Sequence, residues 1–307
     1  DPEGARTELQ YDGRRNIARV TRHPRPGSSL APIVTMAVYD IANPKSSARP
    51  LSMTDAMGNT TNYTYAPEHG GLLTETRPAP APGGVRPQTR HVYAQRRAWI
   101  ANGTGGWTQA ATPVWLRTAT SLCRTSAATG NPASPCATAG DEVRTDYDYG
   151  PNSGPNTLLL RGQAVTATDN GGATTLRTCY AYDALGRKIS ETQPNANLAS
   201  CPAGPPASAM PYTSSTRYDA AGRVTGTISA DPDAVGSSNP QLAVRNSYDP
   251  AGRLTRVEIG TLAAWQSESV APANWTGFAL LRTADPLTPP PPPPPRYDPC
   301  LSHPIAC

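Results

Sequence analysis

Aspartate and arginine recur at a fixed spacing in this chain, as Asp183 with Arg187, Asp219 with Arg223, and Asp249 with Arg253. A carboxylate beside a guanidinium could serve as a general base next to an anion clamp. The neighbouring residues favour a plainer reading. Each pair lies in a hexapeptide: YDALGR at Tyr182–Arg187, YDAAGR at Tyr218–Arg223 and YDPAGR at Tyr248–Arg253. Asp at the first and Gly at the fourth position are the signature of a type I turn, and Pro250 stands where that turn welcomes Pro. Gly186, Gly222 and Gly252 supply the left-handed residue that closes a hairpin. An Asp at the head of a turn accepts from its own turn backbone, and a group needed once for catalysis has no reason to recur in every copy. The expected roles are structural: Asp for the turn, Arg for pairing with a neighbouring strand or lying over a Tyr ring.

The remaining chemistry is thin. There is no Gly-x-Ser-x-Gly, no His-Glu-x-x-His and no Gly-rich loop ahead of a Lys, so no catalytic residue, cofactor or metal is expected. His69 and His91 lie in loop-like surroundings and read as solvated. Trp99, Trp107 and Trp115, between Gly- and Thr-rich stretches, are the candidates for contact with a ligand such as a glycan. Six cysteines fall in local pairs, Cys123 with Cys136, Cys179 with Cys201 and Cys300 with Cys307. Six cysteines allow fifteen pairings, and sequence does not choose among them. Loop-bridging cysteines fit an oxidising compartment better than zinc, because no Cys-x-x-Cys occurs and no His is spaced beside them as a ligand.

These residues must be carried by strands. Tyr63 and Tyr65, Tyr147 and Tyr149, and Tyr180 and Tyr182 lie two apart, hence on one face of a strand. Behind each hexapeptide runs an extended stretch, and in Arg253–Ile259 the apolar parity slips between Leu254 and Val257, as a bulge would cause. Weaker copies of the turn stand at Asp55–Gly58 and Asp169–Gly172, each preceded by Thr. At Tyr11-Asp12 the Gly comes too early for the same turn, and Tyr39-Asp40 and Tyr147-Asp148 keep only the dipeptide. Trp99–Trp115 carries no turn motif, and 99–140 reads as loop-rich. Residues 1–260 form the repeat region, 261–288 hold at most a short helix, and 289–307, with seven consecutive prolines at Pro289–Pro295, read as a polyproline and disordered tail.

Composition agrees with half-exposed strands. The chain has 307 residues, 37% of them hydrophobic, with 35 Pro, 26 Gly and 13 Tyr against a single Phe; Tyr can pack a ring and keep its hydroxyl wet. A net charge of +4 from scattered Arg gives no nucleic-acid surface. No apolar run is long enough for a helical membrane span. Beginning at Asp1 without Met or a signal peptide, the chain reads as a piece of something longer.

The copies at Tyr182, Tyr218 and Tyr248, with the degenerate Asp55–Thr61, resemble the YD repeats of the Rhs family, which includes bacterial polymorphic toxins, Tc toxin shell subunits and teneurins. The resemblance spans roughly residues 5–260. It implies an all-β fold, a spirally wound antiparallel sheet of stacked hairpins that forms a hollow shell around a C-terminal toxin or other cargo. It further implies a non-enzymatic segment of a larger, secreted or cell-surface protein, whose partners are the rest of that polypeptide and its cargo. The plug motif that follows the repeats in such toxins is not found, so an arc of wall is expected. A carbohydrate-binding adhesion module and a truncated remnant without activity of its own are the other readings.

Overall fold

In the computed structural model, the described residues are 4, 6–131, 134–169, 172–204, 206–231 and 240–285. The polyproline run, the tail to Cys307 and the Cys300–Cys307 pair lie outside them. The chain divides into two compact units, Asp1–Arg187 with Gln193–Gly204, and Lys188–Thr192 with Pro205–Cys307. Both are all-β and built from hairpins. Within each unit, successive strands pair antiparallel, save where a small ribbon intervenes.

The first unit runs β1 (Arg6–Tyr11), β2 (Ile17–His23), β3 (Ile33–Tyr39), β4 (Pro50–Thr54), β5 (Thr60–Tyr65), β6 (Leu72–Thr76) and β7 (Gln88–Arg96). A separate ribbon of β8 (Trp99–Ala101) and β9 (Trp107–Gln109) follows. The meander resumes with β10 (Val114–Cys123), β11 (Glu142–Asp148), β12 (Gly162–Asp169) and β13 (Gly172–Tyr182), and β10 pairs with β7 across the ribbon. The expectation of loops over 99–140 therefore misses three strands. Their Thr, Trp and Val content suits a pleated surface better than the intervening Gly suggests.

The buried apolar residues of this unit are small, among them Ala66, Ala119, Ala164, Ala181 and three of the four bonded cysteines, Cys123, Cys136 and Cys179. With so little aliphatic mass, strand pairing and covalent bridges carry the load. Cys123 is bonded to Cys136, and Cys179 to Cys201.

The second unit contains β14 (Lys188–Thr192), β15 (Thr213–Tyr218), β16 (Val224–Ile228), β17 (Gln241–Tyr248), β18 (Leu254–Leu262) and β19 (Phe278–Ala284). Here a true apolar core exists: Ile228, Ala243, Leu262 and Trp275, with Trp265, Val270 and Phe278 packed against it. Trp275 comes from a strap between β18 and β19. The only helical element on that strap is a single 3-10 turn at Pro272–Asn274. In place of the short helix expected over 261–288 stand this turn and β19, and Pro272 bars any helix from running through it from the strap's earlier residues.

Register slips recur. Opposite Tyr11, Tyr39, Tyr65, Tyr218 and Tyr248, the following strand carries one extra residue: Ala18, Leu51, Leu73, Thr225 and Thr255. The bulge at Thr255 accounts for the parity slip between Leu254 and Val257, since an extra residue turns later side chains to the other face.

Candidate functional site

The repeated turn is a compact hydrogen-bonded clasp. In Asp183–Arg187, the Gly186 amide donates to the Asp183 carbonyl at 3.0 Å, and the Asp183 amide to the Arg187 carbonyl at 3.0 Å. The carboxylate then takes what the turn leaves over: Oδ1 accepts from the amides of Leu185 and Arg187, both at 2.9 Å, and Oδ2 from Arg187 Nε at 2.6 Å. Asp219 with Arg223 and Asp249 with Arg253 repeat this, each with Nε 2.7 Å from Oδ2. At Asp55 the fifth position is Asn59, whose Nδ2 reaches Asp55 Oδ2 at 3.0 Å. Asn and Arg are interchangeable there because either places a side-chain N–H against the outer carboxylate oxygen.

Two copies escape the motif as read from sequence. At Asp12 the same clasp forms, with Asn16 Nδ2 on Asp12 Oδ2 at 2.8 Å, and Arg15 rather than a glycine takes the left-handed position at φ 67°. The Gly13 that comes too early is simply not the closing residue. At Asn102, between β8 and β9, the side-chain carbonyl accepts from the amides of Thr104 and Gly106 at 3.1 and 3.0 Å, and the Asn102 amide donates to the Gly106 carbonyl. Trp99–Trp115 thus does hold a turn of this geometry. The sequence signal was Asn-x-x-Gly-Gly, hidden by the missing Tyr and carboxylate. Asp169–Gly172 is different in kind. These two residues are direct ladder partners, and the loop between them, Asn170-Gly171, lies outside the described residues.

In the closing position Gly58, Gly186, Gly222 and Gly252 have φ of 86°, 77°, 82° and 85°. Gly58 has open space where a Cβ would stand, so its requirement is purely one of backbone. Gly58→Ala is expected to cost about 1–2 kcal/mol, and Gly58→Asn clearly less, because Asn tolerates the left-handed region. Urea unfolding of the two variants checks the order.

Tyrosines at strand ends add a second set of bonds, and three of them, Tyr182, Tyr218 and Tyr248, stand at the head of a clasp. Each hydroxyl donates to a backbone carbonyl near the start of the preceding strand: Tyr39 to Ile17, Tyr65 to Pro50, Tyr182 to Leu160, Tyr218 to Lys188 and Tyr248 to Val224, at 2.8–3.3 Å. Tyr149, just past β11, reaches Arg117 at 3.0 Å. Arg223 also lies over the Tyr248 ring, 4.7 Å from its centroid.

These contacts set the charge states. Burial alone would raise the Asp183 carboxyl, but the Arg187 amide and guanidinium hold it below the usual carboxylate range. In Asp219 and Asp249 the amides of Arg223 and Arg253 are the largest cause of the same depression. Asp141 is lowered furthest, chiefly by the Ser126 hydroxyl and amide and then by Thr125. His91 lies in β7, with Nδ1 3.0 Å from Thr120 Oγ1, and burial followed by the nearby Arg117 charge pushes its pKa down. The solvated reading of His91 and His69 is corrected. The His69 ring stacks on Trp115 at 4.4 Å and tilts against Tyr93 at 4.8 Å.

All these shifts favour the folded state at higher pH. A depressed carboxyl contributes stability above its unfolded pKa and loses it as pH falls through the folded one. A depressed His likewise binds protons more readily when unfolded. Urea midpoints should therefore be flat above pH ~7, decline modestly below ~6.5, and collapse below ~4. His91→Gln should remove only the middle step.

The three tryptophans meet different neighbours. Trp99 and Trp107 belong to the ribbon and enclose Gly154, where a Cβ would stand 2.5 Å from Trp107 Cβ and 3.0 Å from Trp99 Cβ. The Trp115 ring stacks on His69; it is 37% exposed and Trp107 45%. One metal-like cluster occurs among the described residues, Cys123, Cys136 and Asp141, with ligand atoms within 4.8 Å of one another. It does not suit a cation: the sulfurs are bonded to each other, and Asp141 already accepts from the amides and hydroxyls of Thr125 and Ser126.

No protein-family model and no curated protein matches the chain. Among solved structures, it is similar to the crystal structure of TcdB2-TccC3-TEV at 14% identity and a TM-score of 0.47, covering 91% of this chain and 12% of that one. TcdB2-TccC3-Cdc42 gives 14% identity and 0.43 over the same shares. The Photorhabdus luminescens Tc holotoxin pore gives 13% and 0.28, over 93% of this chain and 15% of that one. The chain spans about an eighth of the length of the first two.

Proposed function

We propose that this chain is a non-catalytic wall segment of a larger Rhs-type polypeptide, a run of hairpins that encloses or presents another polypeptide. The observation that carries this reading is the clasp. The repeated Asp, Arg and Tyr, the groups with the most chemical potential, are bound into turns and neighbouring strands and not gathered at one centre. Exposure supports it too: every residue of β1 is exposed, Tyr11 at its end to 57%, a surface that another hairpin of the same polypeptide could cover. Two disulfides fit assembly in an oxidising compartment, hence a secreted or cell-surface location.

Electron cryo-microscopy of the gene product in its natural full length tests the proposal. Hairpins laid edge to edge around enclosed density are the expected result. A free-standing arm that encloses nothing overturns it. The exposure of Trp107 favours one second reading, a glycan-binding module. A glycan array that gives signal lost in Trp107→Ala would establish that reading instead.

A further inference from the structure

In the second unit a cleft of about 440 Å³ opens between the face of β15–β18 and the strap residues Glu268–Ala273. Three of its lining residues, Arg217, Arg245 and Glu258, belong to one row of ladder partners: Arg217 opposite Gly226, Gly226 opposite Arg245, and Arg245 opposite Glu258. A Cβ on Gly226 would stand 2.7 Å from both Pro272 and Trp275. The strap therefore closes down on the glycine, and the two arginines flank the contact.

Those arginines are incompletely used. Arg217 is 6% exposed; its Nη2 donates to the Gln266 carbonyl at 2.9 Å, while Nε and Nη1 have no partner. Arg245 donates through Nη2 to the Trp275 carbonyl at 3.0 Å and lies 3.8 Å from the centroid of the Phe278 ring, with Nε unpartnered. Leaving charged donors desolvated and unpaired is costly. The acids around the cleft relieve it only through space, Glu268 acting on Arg217 and Glu258 on Arg245, without taking up the unpartnered donors. Asp219 is taken by Arg223, Glu258 lies 2.8 Å from Arg256, and Glu268 is an exposed strap residue that makes no ion pair with Arg217.

We propose that this cleft binds a peptide carboxylate, an acidic side chain or a chain end, which accepts from Arg217 and Arg245 while the peptide lies along Val270–Ala273. Guanidinium N–H groups match a carboxylate in shape and charge. A dianionic phosphate fits less well, because Glu258 and Glu268 line the same space and repel the second charge more. The site stands apart from the wall reading: it can bind in a chain that encloses nothing, and a wall can form around an empty cleft.

The test follows the Arg side-chain Nε–H signals of the whole chain by NMR during titration with three capped peptides. Acetyl-Ala-Asp-Ala-amide carries a side-chain carboxylate, acetyl-Ala-Ala-Ala with a free acid carries a chain end, and acetyl-Ala-Asn-Ala-amide carries neither. Saturable shifts of Arg217 and Arg245 with either acidic peptide, but not with the Asn peptide, are expected, and the stronger of the two names the source. Arg217→Gln should abolish them. Should that variant fail to fold, Glu268→Gln keeps the test open: removing a repelling surface charge should tighten binding about five-fold. An absent shift, equal binding of the Asn peptide or of inorganic phosphate, or unchanged affinity in Glu268→Gln overturns the proposal.

Discussion

Leu262→Ala will destabilise the second unit by about 3–5 kcal/mol, the range for emptying a fully buried leucine site that cannot collapse. Leu262 is 0% exposed and shares its cluster with Ile228, Ala243 and Trp275. Its strand is pinned on both sides, by β17 and by β19, so the backbone has little freedom to close over the cavity. Gly260, two residues earlier on the same face, meets Phe278 and the Ala279 carbonyl where a Cβ would stand, both at 2.5 Å. The neighbourhood is already tightly packed and offers no side chain to move in. Hydrogen exchange of the β17–β18 amides reads the loss directly. A change under about 1 kcal/mol would show that strand pairing alone sustains this unit.

Replacing Cys179 and Cys201 together by Ser should cost the first unit about 3 kcal/mol, the chain-entropy value for a loop of this size. The bridge joins residues 22 apart and ties the end of β13 to the segment after β14. That segment has few other anchors, of which the Arg177 bond to the Leu198 carbonyl at 3.1 Å is one. The bridge also lies directly over Gly162, where a Cβ would collide with Cys201 Sγ. Gly162→Ala should therefore hinder closure of this disulfide and leave Cys123–Cys136 intact. Thiol titration after oxidative refolding checks this, with two more free thiols expected than in the parent chain. Full closure of both bridges in Gly162→Ala would contradict the packing described.

The hairpin architecture was legible in the sequence because a turn is local chemistry. Asp, Gly and the fifth-position Arg of each hexapeptide sit within one clasp and need no distant partner to be recognised. Legibility failed where one rule was met by another residue. Arg15 adopts the left-handed conformation reserved in expectation for glycine, and Asn102 replaces the carboxylate with an amide oxygen. It failed again where the partner is remote. β15 reads TSSTRY and shows no apolar alternation, yet Thr213, Ser215 and Arg217 are buried. The Arg217 partner is Gln266, 49 residues away, and no local pattern announces it. The same holds for Trp275, whose place in the core depends on Gly226 having no side chain. The cleft was invisible for that reason: its arginines look like ordinary alternate-face strand residues until the strap is laid over them.

The tyrosine bonds also give the chain a direction in time. These hydroxyls reach back to the strand made just before their own, so β2, β4, β10, β12, β14 and β16 are each fully secured only once the next strand has been synthesised and laid beside it. A chain cut short after one of these strands would lack the tyrosine that latches it. Substituting Phe for a single tyrosine should then be felt one strand upstream of the change.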